Sequence, residues 1–92
     1  RPRPAYRFTI EDSIYLDPRH TGRGHGKALL SALITAAQQT PARQMVAIVG
    51  DSANHASIQL HKSQGFHFVG TLTKVGNKFD RWIDTVILQR EL

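Results

Sequence analysis

Ninety-two residues, 40% of them hydrophobic, suit one small domain with a modest core and exclude a disordered tail or a fibrous repeat. The absence of cysteine excludes a disulfide framework, a thiolate zinc site and a cysteine nucleophile. With no charged-then-apolar leader and no apolar run near the roughly 20 residues that span a bilayer, a soluble cytoplasmic protein with no membrane partner is expected. Twelve Lys and Arg against seven Asp and Glu give a net charge of +5, scattered from Arg1 to Arg90 without a run; this suits a solvated basic surface, nucleic acid or a polyanionic small molecule.

The opening RPRPAY, with two prolines that lack backbone donors, reads as an extended lead-in. From Phe8 the pattern alternates, with Phe8, Ile10, Ile14 and Leu16 on one face of a strand and Thr9, Glu11, Ser13 and Tyr15 on the other. Asp12 interrupts the apolar face and calls for a bulge near it. After Asp17-Pro18 comes the loop HTGRGHG, then a helix over KALLSALITAAQQ, in which Leu29, Leu30, Leu33, Ile34 and Ala37 recur at helical spacing. Met45 to Val49 is a continuous apolar run rich in β-branched residues, as expected of a parallel strand covered on both faces. A second helix is predicted from about Ala53 to Gln64, ended by Gly65. Phe66 to Leu72 and Trp82 to Gln89 read as two strands around a loop TKVGNKFDR. The order is therefore β-α-β-α-β-β, an α/β domain built on a βαβ unit.

In TGRGHG three glycines at alternate positions stand between a strand and a helix. Backbone amides there can approach an anion with no Cβ in the way, and the helix N-terminus adds its partial positive charge, so a pyrophosphate would be held. The spacing departs from the dinucleotide fingerprint, and Gln44 and Met45 stand near where its acidic ribose ligand is expected. Gly26-Lys27 is followed by Ala28, not by the Ser or Thr of a nucleotide-hydrolysing loop. On the second helix Asn54, Ser57 and His61, spaced three and four apart, form one polar stripe beside an apolar stripe of Ala53, Ala56 and Leu60. That stripe faces a ligand, or else Asn54 caps the helix and His61 lies half exposed.

SIYLDPRHTGRGHGKALL resembles the strand, R/Q-x-x-G-x-G/A loop and helix of the GNAT acetyltransferases, and NHASIQLHKSQGF resembles their second motif. YRFTIEDSIYL, ASIQLHKSQGF and VGNKFDRWIDTVILQ are similar to the phosphinothricin and methionine sulfoximine acetyltransferase branch in particular. The departures are Thr21 at the first loop position, His25 between the last two glycines and Asp80 where the branch has KFGRW.

The resemblance implies the C-terminal, acetyl-CoA-binding portion of the GNAT fold, residues 1–92 forming a single partial domain with a mixed sheet, and acetyl-CoA as cosubstrate with no metal. It implies pyrophosphate contacts at Gly22, Arg23, Gly24, His25, Gly26 and Lys27, and pantetheine pairing along Ile14, Tyr15 and Leu16. Asn54 and Ser57 would be further cofactor contacts. Glu11 matches the branch's general base and His61 its candidate proton donor to the leaving thiolate, with a backbone N–H near Tyr15 to polarise the acetyl carbonyl. Arg3, Arg7 and Lys78 are candidates to face the carboxylate of an amino-acid-like amine acceptor.

Three classes of function follow. The first is an N-acetyltransferase acting on a small amine and expected to be a homodimer; the second is a non-catalytic CoA-binding or dimerisation module. A nucleic-acid partner ranks last, because the first helix carries only Lys27 after its start. His20, His25, His55, His61 and His67 lack helical ligand-pair spacing and thiolate companions, which argues against a metal.

Overall fold

The computed structural model describes residues 7–12, 24–50 and 54–92. Chain order is β1 (Thr9–Asp12), α1 (His25–Gln38), β2 (Gln44–Val49), α2 (His55–Ser63), β3 (His67–Lys78) and β4 (Arg81–Glu91). The sheet runs β1-β2-β4-β3, with β1 parallel to β2 and the other pairs antiparallel. This is the expected mixed α/β sheet with α1 as the crossover of a βαβ unit.

The pleat decides which side chains enter the core. Asp12 pairs with Ala47, and Ala47 with Leu88, so these three form one row on one face of the sheet, and all are buried. Met45, Val49 and Val86 are buried with them, joined by Leu30, Ile34 and Ala37 of α1 and by Phe66, while Ile58 and Leu60 of α2 pack against the same cluster. The opposite face is more open, since Gln44, Val46 and Ile48 are only half buried; β2 is not covered on both faces as its apolar run suggested. The α1 stripe is also narrower than expected. Leu30, Ile34 and Ala37, at i, i+4 and i+7, face the core, whereas Leu29 and Leu33 on the flanking row are exposed.

Helix α2 ends near its predicted boundary, with Gly65 at φ 91° and the Arg90 side chain lying against it. The expected loop over TKVGNKFDR is instead strand on both sides of a tight reversal. β3 continues to Lys78, β4 begins at Arg81, and Phe79 and Asp80 reverse the chain with φ of 53° and 59°. Two successive left-handed residues match the twist of a hairpin, so two residues suffice where nine were expected. An irregularity between Leu72 and Gly76, with Lys74 at φ 53°, is tied down by the Lys74 N–H donating to Asp84 Oδ1 at 2.8 Å. No described helix is long and apolar enough to cross a membrane.

Candidate active site

Parallel β1 and β2 end on the same side of the sheet, and each is followed by a helix. In chain order α1 and α2 thus each follow a parallel strand, the arrangement in which open α/β sheets bind ligands beyond the carboxyl ends of their strands. The two helix starts are finished differently. Asn54 caps α2, its Oδ1 accepting from the Ser57 N–H at 3.1 Å. Gly24 caps α1 at φ 77° and ψ 0° with no side-chain hydrogen bond, and no acidic residue stands in the first turn. Among the described residues no side chain caps the first-turn amides of α1, and their share of the helix dipole favours an anion there.

The polar stripe of α2 faces inward. Ser57 and His61 are buried, His61 to 1% exposure, whereas Ala56 is exposed, so His61 is no half-exposed surface residue. The His61 ring lies between two acceptors: Nε2 is 3.0 Å from Asp12 Oδ1 and Nδ1 is 2.8 Å from the Ser57 carbonyl oxygen. The Phe66 ring meets it edge-on, with centroids 4.9 Å apart. Burial is the largest influence on the ring and opposes its charge. The hydrogen bonds to Asp12 and to the Ser57 carbonyl, with the Asp12 charge, outweigh it and raise the His61 pKa above the ordinary 6.5. The last turn of a helix, where His61 sits, also favours a cation.

Asp12 is the residue that reading the motifs missed. Its signal was its interruption of the apolar face of β1, and the pairing with His61 explains that interruption. Glu11, the expected base, is exposed and precedes Asp12 in an extended strand, so its side chain points to the face of the sheet away from His61. Ser57 Oγ is fully buried with no hydrogen-bond partner among the described residues, and Asn54 Oδ1 is engaged as the cap. Gly24 is exposed, Gly26 is half buried and Lys27 is exposed along the start of α1. Arg7 stacks on Phe8 at 4.3 Å, and Lys78 lies 5.7 Å from the Phe79 ring. Arg7 precedes the Thr9–Gln44–Glu91 end of the sheet, whereas Lys78 pairs with Arg81 at the far end of β4, about 30 Å of strand away, so the two do not converge. Arg3, Ile14, Tyr15, Leu16, Gly22, Arg23 and the His25 side chain lie outside the described residues, as does any bulge beyond Asp12.

Comparison with known proteins agrees with this architecture. The chain is 54% identical over 92 residues to a phosphinothricin N-acetyltransferase of Alcaligenes faecalis, covering 100% of this chain and 47% of that protein. It is 44% identical over 88 residues to an L-methionine sulfoximine/L-methionine sulfone acetyltransferase of Salmonella typhimurium, covering 96% and 51%. The chain thus spans about half the length of these relatives. Among solved structures, a GNAT superfamily phosphinothricin acetyltransferase from Sinorhizobium meliloti in complex with acetyl-CoA superposes with a TM-score of 0.90 at 48% identity, covering 100% of this chain and 49% of that one. Residues 1–66 match the acetyltransferase (GNAT) family, and the chain belongs to that family.

Proposed function

We propose that this chain forms the acetyl-CoA-binding half of an N-acetyltransferase whose acceptor is the amino group of a small amino-acid-like molecule of the phosphinothricin or methionine sulfoximine class. The observation that carries this reading is the start of α1: a left-handed glycine cap, with no capping side chain and no acid in the first turn, opens the helix that follows β1 and leads into the parallel strand β2. The amides from Gly24 to Lys27 would hold the pyrophosphate, together with those of Gly22 and Arg23, and the backbone groups of Ile14, Tyr15 and Leu16 would pair with the pantetheine arm.

Transfer requires that the acceptor amine lose a proton as its nitrogen bonds the acetyl carbon, and that the departing sulfur gain one. In this proposal Glu11, exposed on the face of β1 opposite His61, takes the amine proton directly or through a water, and His61 supplies the proton to sulfur. The two proton carriers thus act from opposite sides of one strand. A second copy of the chain is the proposed partner, supported by exposed Phe68, Val69, Leu72, Val75 and Trp82 on the β3–β4 hairpin.

Calorimetric titration with acetyl-CoA, against an acetyl-pantetheine that lacks the pyrophosphate, tests the reading. Saturable heat with acetyl-CoA alone is expected, and equal binding of both, or of neither by a folded chain, would refute the α1 assignment. Where binding is present, acetyl transfer to methionine sulfone that falls at least tenfold in Glu11→Gln, with binding unchanged, supports the enzyme. Binding without any transfer supports a CoA-binding module instead.

A further inference from the structure

Both ring nitrogens of His61 face oxygen acceptors, a carboxylate oxygen at 3.0 Å and a backbone carbonyl at 2.8 Å. A backbone carbonyl cannot donate, so the 2.8 Å contact fixes a proton on Nδ1. A neutral imidazole with its proton there would turn the bare lone pair of Nε2 toward a carboxylate oxygen. Two acceptors 3.0 Å apart in a site shut off from water repel, and the contact becomes attractive when a proton lies between them, on Nε2 as the ordinarily more basic of the two atoms. We propose that Asp12 is a positioning residue that holds His61 as an imidazolium, both N–H groups engaged, so that the resting protein stores one proton at a fixed place between β1 and α2. The reactive meaning of that proton rests on the acetyl-transfer reading above; its presence does not.

The surroundings favour this state. A buried cation with no counter-charge is costly, but a buried cation and anion in direct hydrogen-bond contact form a net neutral unit. From β1 the charged group facing the ring is Asp12. Phe66 contributes an apolar edge, and Arg90 of β4 is held nearby on the Gln64 carbonyl at 2.7 Å, past the end of α2. The adjacent Lys62 on α2 is exposed. Among the described residues the polar atoms bonded to the ring are Asp12 Oδ1 and the Ser57 carbonyl oxygen. A ring protonated at both nitrogens has no free lone pair to act as a base; at rest it is a fixed positive charge, and it acts as an acid when one N–H leaves its acceptor.

The proposal is tested by long-range proton–nitrogen NMR on the nitrogen-labelled chain, which reads the protonation of each imidazole nitrogen without need of turnover. The expected result is that both nitrogens of His61 are protonated at pH 7, and that Asp12→Asn leaves a neutral ring with its proton on Nδ1 and a proton affinity at least tenfold lower, about one pH unit. A bare nitrogen in the unaltered chain at pH 7, or a midpoint unmoved in Asp12→Asn, would overturn it. If Asp12→Asn does not fold, the spectrum of the unaltered chain decides alone. Acetyl-CoA titration of the same sample separates the two readings: a doubly protonated ring in a chain that binds no acetyl-CoA refutes the cofactor assignment and leaves the Asp12–His61 assignment standing.

Discussion

Replacing Gly24 tests the start of α1 on two independent axes. An L-residue at φ 77° bears a left-handed strain of roughly 1–2 kcal/mol, which alanine cannot relieve. A Cβ built there has no atom within 4 Å, so no clash adds to the strain. Alanine restricts the unfolded chain and recovers roughly 0.4–1 kcal/mol, leaving a net cost near 1 kcal/mol for Gly24→Ala. For a chain this size that lowers Tm by roughly 4–8 °C. Asparagine adopts the left-handed region more readily and is a favoured capping residue, so Gly24→Asn should leave Tm nearly unchanged. Binding should not follow stability. If a pyrophosphate approaches the amides across Gly24, any Cβ intrudes, and both variants should bind acetyl-CoA at least tenfold more weakly by calorimetry. A Gly24→Ala chain as stable as the original would refute the left-handed cap, and two stable variants with undiminished binding would refute the approach of the anion.

Leu88 is fully buried on the central strand β4, so Leu88→Ala should cost about 2–5 kcal/mol in urea unfolding, whereas Leu29→Ala, at 52% exposure, should cost under about 0.5 kcal/mol; similar costs would misplace the core. Because the folded His61 ring holds its proton more tightly than an unfolded histidine, its contribution is complete below about pH 6.5 and is lost as pH rises through the folded value, about 1.4 kcal/mol for each tenfold gain in proton affinity on folding. The urea midpoint should therefore fall as pH rises above about 6.5, and this fall should be absent in Asp12→Asn. Phe79 and Asp80 both sit at positive φ in the hairpin turn, so replacing them by Asn-Gly should raise Tm by several degrees, and a lowered Tm would contradict the two-residue reversal.

The elements legible in the sequence were those whose neighbours differ on their two sides. Helix α1 could be read because one row meets the sheet and the rest meets water, although the stripe could not say that Leu29 and Leu33 fall outside the contact. The two strands of the β3–β4 hairpin were read, but their extension to the tight reversal hid for the opposite reason. Nearly all of β3 is exposed on both faces, so polarity there carries no strand period, and its Gly, Asn and Asp read as turn residues. The true reversal falls on Phe79, an aromatic at φ 53° that no turn preference selects.

The same logic bears on the site. Spacing along α2 brought Asn54, Ser57 and His61 onto one stripe, but which way that stripe faced depended on β1, which lies 49 residues from His61 at Asp12. In a strand, adjacent residues point to opposite faces, so Glu11 and Asp12 cannot both meet His61. The burial of Asp12 beside His61 settles the parity, and it leaves Glu11 exposed on the other face. Two adjacent carboxylates are thereby divided between two environments: one shut in with a histidine and held in an ion pair, the other open to solvent and to any acceptor that approaches. A carboxylate already bound to an imidazolium is a poor acceptor for an amine proton, so if the chain takes part in acetyl transfer, removal of Glu11 and removal of Asp12 must fail differently. Glu11→Gln should lower turnover at every pH with His61 protonation unchanged, whereas Asp12→Asn should move the alkaline limb of the pH profile to lower pH together with the NMR midpoint of His61. Identical pH profiles for the two variants would show that the two faces of β1 do not divide the chemistry.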